Sequence, residues 1–304
     1  MTRVLVESLK RFGGPIARDA HVVLSVGADE VPRDLSPHFS WADPGRLSIR
    51  WVDRHLFRET EYDGTGLDRY WVESNADLVA MMDADILIAG DFDDVLSRAF
   101  SEQLTLGFIA HVSPFQSGLS AETSSTEWWK QVFASAGLEC PELGYQHTGW
   151  GLMSSLTEHR LCPYYLNYGF VVSPRWHVEQ VARSLQEDIR AVDRCLESWA
   201  KSQIALTVSM YRHDLAFDTI GIRDNFPLHV DASRIRELNP DPDGLDADED
   251  VRIFHYLGHG EVNKDHFDNV ESFAKLLGRS QTTSAAGVFL KKLREVVHHS
   301  PGLA

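Results

Sequence analysis

Short apolar runs with strand character alternate along this chain with longer stretches of helical period, and that alternation confines it to an α/β layer architecture. Residues 21–26, 47–52, 77–82 with 86–88, 104–112, 165–172 and 251–256 read as strands. Between them, residues 67–75, 92–100, 128–136 and 176–211 carry helical patterns, the last long enough for one or two helices. The chain opens on an amphipathic helix that ends at Gly13-Gly14. A helix over 267–277, a Ser/Thr-rich linker over 278–287 and a terminal helix over 288–298 close it. The expected division is one domain over 1–277, with 278–304 as linker and C-terminal helix packed on it or extending from it.

At 304 residues, the chain can bury one large core. Its 29 basic and 45 acidic residues leave a net charge of −16, which argues against tracking a nucleic-acid backbone or an anionic membrane. No apolar run approaches the roughly 18–20 residues that span a bilayer, and the start lacks the apolar stretch of a signal peptide. Cys140, Cys162 and Cys195 are too few and too scattered for a disulfide framework. A reducing cytoplasm is the expected compartment.

Asp83-Ala84-Asp85 follows the apolar run 78–82. In extended backbone, residues i and i+2 point to the same side. Two carboxylates there can converge on one hard cation, at the strand ends where open α/β sheets bind ligands. Turn-capping carboxylates are the other reading. A second copy, Asp246-Ala247-Asp248, sits in a polar loop with Asp241, Asp243 and Asp250 and is expected to be solvated surface. Gly244 is misplaced there for a calcium loop.

His255 lies in the last strand-like run. A neutral imidazole can complete a metal shell begun by carboxylates, or it can be a hydrogen-bonded core histidine. Gly258 and Gly260 leave backbone N–H groups open to an anion, and Lys264 can add a point charge for a phosphate. A zinc site from His255, His259 and His266 lacks a familiar spacing. Asn167 stands two residues before the strand glycine Gly169, where it can bind a polar ligand or satisfy a local bulge. Trp150, in the loop Gly149-Trp150-Gly151, is a ligand candidate. Trp128-Trp129 fits a helix that is part core.

Taken in order, the runs 80–88, 165–172, 203–206 and 254–258 resemble the GT-A class of nucleotide-sugar glycosyltransferases. The glycogenin-like and bacterial galactosyltransferase-like members are the most similar. The resemblance runs from about residue 8 to about residue 264. It implies a single Rossmann-like GT-A domain whose mixed central sheet is flanked by helices. It also implies Asp83, Asp85 and His255 as ligands of Mn²⁺ (or Mg²⁺) on the diphosphate of a donor, most often a UDP-sugar. Asn167 and Gln203 fall near the donor sugar and the reacting carbon as catalytic candidates. Arg69, Ala84, Gly258 and Lys264 fall on the donor side. The metal offsets charge on the leaving diphosphate, and the glycogenin-like likeness implies retention of configuration.

The chain departs from the family in four places. The family's first strand is missing, because Met1 falls almost at the helix. Ser202 stands where the family often has Asp, Arg69 is displaced from the family's basic position, and Lys264 is followed by Asp265-His266 rather than Pro-Trp.

The reading is therefore a metal-dependent glycosyltransferase with a nucleotide-diphosphate sugar donor and a small soluble acceptor. No nucleic-acid partner and no integral membrane association are expected. Loop 144–160 and segment 223–227 are candidate acceptor walls, with Trp150 and Asp224 as candidate residues. An inverting mechanism would need a carboxylate base, for which Glu197 and Asp224 are candidates. One alternative is a GT-A-like nucleotide-sugar or glycan binding protein without turnover. Another is a phosphohydrolase with Asp83 as nucleophile, although Leu87 stands where such enzymes carry Thr. Nothing in the sequence encodes an oligomeric state.

Overall fold

A computed structural model describes residues 1–28, 30–60, 66, 68–111, 113–115, 125–147, 161–196, 198, 200–228, 245, 247–256, 261–280, 284–300 and 302–303, the side chains of 59 and 60 excepted. Helices α1 (Thr2–Phe12) and α2 (Gly14–Arg18) lead into β1 (Val22–Val26) and β2 (Leu47–Trp51). Next come α3 (Arg54–Thr60), a 3-10 turn at Arg69–Trp71, β3 (Leu78–Met82), β4 (Ile86–Ile88), α4 (Asp93–Glu102) and β5 (Thr105–Ile109). They are followed by α5 (Ser125–Ser135), β6 (Tyr145–Gln146), β7 (Leu161–Cys162), β8 (Leu166–Pro174), α6 (Arg175–Cys195) and α7 (Lys201–Arg212). The chain closes with β9 (Phe217–Thr219), β10 (Phe226–Pro227), β11 (Ile253–His255), α8 (Val270–Leu277) and α9 (Ser284–His299).

Strand β8 is the spine. It pairs antiparallel with β3 on one side and β5 on the other, and β9 adds in parallel beyond β5. Successive side chains of a strand face opposite ways. Accordingly Phe170 and Val172 enter one core and Val171 the other, which Leu166 joins from beyond a register shift in the pairing of β8 with β5. The first core joins α1, α4, α8 and α9 through Leu9, Leu96, Leu276 and Phe289. The second joins α5, α6 and α7 through Trp129, Leu185 and Ile204. Burial on both faces explains why β8 lacks polar alternation from Phe170 onward.

Strands β3 and β4 belong to different sheets. β3 pairs with β8, whereas β4 pairs antiparallel with β11, which in turn carries β10. Residues 83–85 are the link between the two sheets. Asp83 N–H donates to Gly169 O at 3.0 Å, and Tyr256 N–H donates to Asp85 O at 3.0 Å. The Asp-Ala-Asp segment is thus tied by its own backbone to the strand carrying Asn167 and to the strand carrying His255.

One expectation changes in detail, and two features are made definite. Of the helical pattern over 67–75, the described residues keep α-helical backbone at Asp68 and the 3-10 turn Arg69–Trp71, and Val72 is already extended. The carboxylate of Asp68, just before that turn, is drawn off to Arg50 and Ser25. The pattern over 176–211 divides into α6 and α7 where Leu196 turns extended, at φ −153° and ψ 126°. Finally, β1 pairs only with β2, and β3 only with β8, among the described residues. Each has an unpaired edge, and β1 is half-buried throughout although its sequence is apolar.

Candidate donor and metal site

The link at 83–85 presents two carboxylates to the imidazole of His255. His255 Nε2 lies 3.3 Å from Asp85 Oδ1 and 3.6 Å from Asp83 Oδ2. One ligand atom from each of the three residues falls within 4.8 Å of the others. His255 is 2% exposed, and neither of its ring nitrogens has a well-aligned hydrogen bond among the described residues. An orphaned imidazole nitrogen facing two partly exposed carboxylates is a donor set that fits a divalent cation.

Gly169 makes this approach possible. A Cβ there would lie 2.4 Å from His255 Nδ1 and 2.7 Å from Asn167 Oδ1. Only glycine lets the imidazole rest against the backbone of β8. The strand glycine read from the sequence as a place of close approach therefore has a definite neighbour.

Arg69 supplies the nearest described positive charge. Its Nη2 donates to Asp83 Oδ1 at 2.5 Å, and its Nη1 donates to Tyr168 O at 3.4 Å. Burial works against ionisation of Asp83, but the charges of Arg69 and His255 outweigh it and hold the carboxyl below its ordinary value. Burial likewise disfavours the imidazolium of His255. Here the contact with Asp85 and the charges of Asp85 and Asp83 prevail, so its pKa is raised. A proton on His255 thus balances the carboxylates, and a bound cation would replace that proton.

Two side-chain amides stand beside β8. Asn167 Oδ1 accepts from Gly169 N–H at 2.8 Å and from Asn225 Nδ2 at 3.0 Å. Gln203, on the first turn of α7, accepts the Tyr168 N–H through Oε1 at 3.0 Å and donates to Tyr165 Oη at 3.3 Å. Tyr168 Oη in turn donates to Ser202 O at 2.6 Å. The Gln203 amide is therefore anchored on the residue next to Asn167.

The remaining sequence candidates fall elsewhere. Ala84 is the turn residue between the two carboxylates. Lys264 is exposed and opens the 3-10 turn Lys264–Phe267, whose Phe267 stacks on Tyr256 at 4.7 Å, one residue past His255. Gly258, Gly260, Trp150 and Glu197 lie outside the described residues. Asp224 is 2% exposed and bound by Arg252, with Nε 2.5 Å from Oδ1 and Nη2 2.7 Å from Oδ2. Each of its oxygens accepts from the Arg252 guanidinium, so the described structure holds Asp224 in a buried ion pair.

Sequence reasoning missed Asp68 and reached Asn225 only as a member of segment 223–227, without its partner. Asn225 is fully buried against Asn167. Asp68 is a buried carboxylate that ties the residue before Arg69 to Arg50 and Ser25. Both act across 18 or more residues of sequence, and no local pattern marks such partners.

No protein-family model matches the chain, and comparison with curated proteins finds no sequence relative. Solved structures do match in shape. The galactosyltransferase LgtC, in complex with donor and acceptor sugar analogues, aligns over 97% of this chain and 91% of its own, at 13% identity and a TM-score of 0.54. The chain has a GT-A-like glycosyltransferase fold. An active-site mutant of LgtC aligns over 97% and 90% at the same identity and TM-score. The apo structure of the bifunctional glycosyltransferase WbbM aligns over 99% of this chain at 14% identity and a TM-score of 0.47, and this chain spans about half, 47%, of that protein. Within this GT-A-like fold, the link between the two sheets is where the carboxylates and the histidine converge. No described helix is long and apolar enough to cross a membrane.

Proposed function

We propose that the protein is a metal-dependent glycosyltransferase that moves a sugar from a nucleotide-diphosphate donor, a UDP-sugar by preference, to a small soluble acceptor with retention of configuration. The observation that carries this reading is the convergence of Asp83, Asp85 and the orphaned His255 nitrogen at one point. These three residues would hold Mn²⁺ (or Mg²⁺), which when bound stabilises negative charge on the leaving diphosphate.

The other roles follow from chemistry and position. Arg69 balances Asp83 and orients it, and its guanidinium adds positive potential for the donor. Lys264 and the backbone at Ala84 and Gly258 are proposed on the donor side. Asn167 and Gln203 are proposed beside the donor sugar, where anchored amides can bind hydroxyls without reorganising. Trp150 is the retained acceptor-side candidate. The compartment proposed is the cytoplasm.

Thermal denaturation with Mn²⁺ and UDP, GDP, ADP, CDP or dTDP, singly and together, tests the reading. A ligand that binds only the folded state must stabilise it. The expected result is a rise for one nucleotide that requires Mn²⁺ and disappears in Asp83→Ala. No rise for any pair rejects it. Slow, metal-dependent hydrolysis of the matching nucleotide sugar then separates an enzyme from a binding protein.

A further inference from the structure

The orientation of the Asn167 amide is fixed by a backbone donor. Gly169 N–H points at one terminal atom of Asn167, 2.8 Å away. A backbone N–H cannot accept a hydrogen bond, so that atom is Oδ1. The same oxygen lies 3.0 Å from a terminal atom of Asn225, which must therefore be the donor Nδ2. With Oδ1 doubly occupied, the group that Asn167 can offer to a ligand is its NH₂.

Asn225 itself is fully buried, and its Oδ1 has no hydrogen-bond partner among the described residues. A buried, unpaired amide oxygen costs stability, so a residue needed only for packing would be better replaced by an apolar one. Asn225 lies just before β10, which pairs in parallel with β11 beside His255. It reaches across 58 residues of sequence to a side chain whose oxygen sits next to the His255 ring.

We propose that Asn225 is a positioning residue that locks Asn167 with its amide nitrogen toward the donor sugar, so that the site selects sugars offering a hydroxyl oxygen as acceptor there. This rests on the transferase reading above. Asn225 acts through Asn167 and need not touch the sugar. Its own amide orientation is dictated in turn, through Asn167 Oδ1, by the Gly169 N–H.

The test uses Asn225→Asp, which keeps the shape and replaces the amide donor by an oxygen. Two oxygens would then face each other, which sets a repulsion at Asn167 Oδ1 against the hold of the Gly169 N–H and loosens the amide's orientation. Wild type and variant are titrated in Mn²⁺ with the nucleoside diphosphate and the matching nucleotide hexose that stabilise wild type most, drawn from UDP, GDP, ADP and dTDP pairs. The expected result is that the sugar's contribution, the ratio of the two affinities, falls about tenfold or more in the variant, while diphosphate affinity stays within about twofold.

Equal sugar contributions in variant and wild type overturn the inference alone. A wild type that binds no nucleoside diphosphate with Mn²⁺ overturns the transferase reading and this inference with it. Side-chain amide NMR gives an arm free of ligand. In wild type the Asn225 NH₂ protons should exchange slowly, and the Asn167 ¹⁵N resonance should shift in Asn225→Asp. If Asn225→Asp does not fold, Asn225→Ala leaves Asn167 held by Gly169 alone, and the same ratio is expected to fall by a smaller factor. Fast Asn225 exchange, or an unmoved Asn167 resonance, also overturns the proposal.

Discussion

Asp83-Ala84-Asp85 bridges two sheets and turns its carboxylates toward a buried histidine. Asp246-Ala247-Asp248, the same tripeptide, leads into the 3-10 turn Asp248–Asp250. Asp246 lies outside the described residues. Asp248 corrects an expectation: it is 5% exposed rather than solvated, and its carboxylate accepts the Ser284 hydroxyl at the start of α9. Identical residues therefore do different work because their neighbours differ. At the first copy, the partner is an imidazole that can exchange a proton for a cation. At the second, it is a hydroxyl that fastens a helix.

The same contrast separates the other buried acids. Asp188 is fully buried and accepts from Arg212 and Ser209, and Asp224 is taken by Arg252. Such acids stiffen the fold, because each charge already has its counter-charge. Asp83 too has a counter-charge, in Arg69, but its other oxygen and Asp85 also face an imidazole nitrogen that makes no well-aligned hydrogen bond among the described residues.

Removing a ligand should produce the largest effect that distinguishes the two copies. Asp83→Ala or Asp85→Ala is expected to abolish the Mn²⁺-dependent rise in Tm and to lower turnover by on the order of 10²–10³. Asp248→Ala should preserve both. A loss of the Mn²⁺ response in Asp248→Ala would break the comparison.

Asp224→Ala leaves Arg252 without its buried partner and should cost about 3 kcal/mol in denaturant unfolding. The Mn²⁺ response of the folded protein should survive. A neutral result would mean that Asp94, which also contacts Arg252, suffices to hold the guanidinium.

Histidines extend the contrast to pH. His147 is buried beside Tyr165 and donates Nδ1–H to Ala110 O at 2.8 Å, and burial pushes its pKa down to about 4. The unfolded chain takes up that proton near pH 6.5. Its contribution is thus fully present above pH 6.5 and is lost as the pH falls toward 4, by at most about 3 kcal/mol. Urea unfolding of wild type and His147→Phe across pH 4–7 should show a shallower pH dependence in the variant. Equal slopes would place the acid sensitivity elsewhere.

The smallest effect belongs to Asp248. Asp248→Ala removes the side-chain hydrogen bond from Ser284 at a helix start and should lower stability by about 1 kcal/mol. A loss several times larger would mean that Asp248 carries more of the α9 docking than its bond to Ser284.

Much of this was legible in the residues themselves. The alternation of strand and helix periods implied the layered α/β fold; β3 and β11 lie within the runs singled out as apolar, and β8 runs two residues past its own. Asp83, Asp85, Asn167 and His255 could be selected because strand ends and strand glycines are local features, whereas Gln203, on a helix, came only with the family resemblance. Their convergence could not, because it depends on β3 and β4 pairing with different sheets. Nor could the pairing of Asn225 with Asn167, the retirement of Asp224 into an ion pair, or the half-exposed edges of β1 and β3. Sequence by itself determined which segments are apolar, where the backbone can turn and which side chains can carry charge, since these are properties of a few neighbouring residues. Tertiary structure decided which charges meet, because distance across the fold is set by strand pairing and packing between segments remote in the chain.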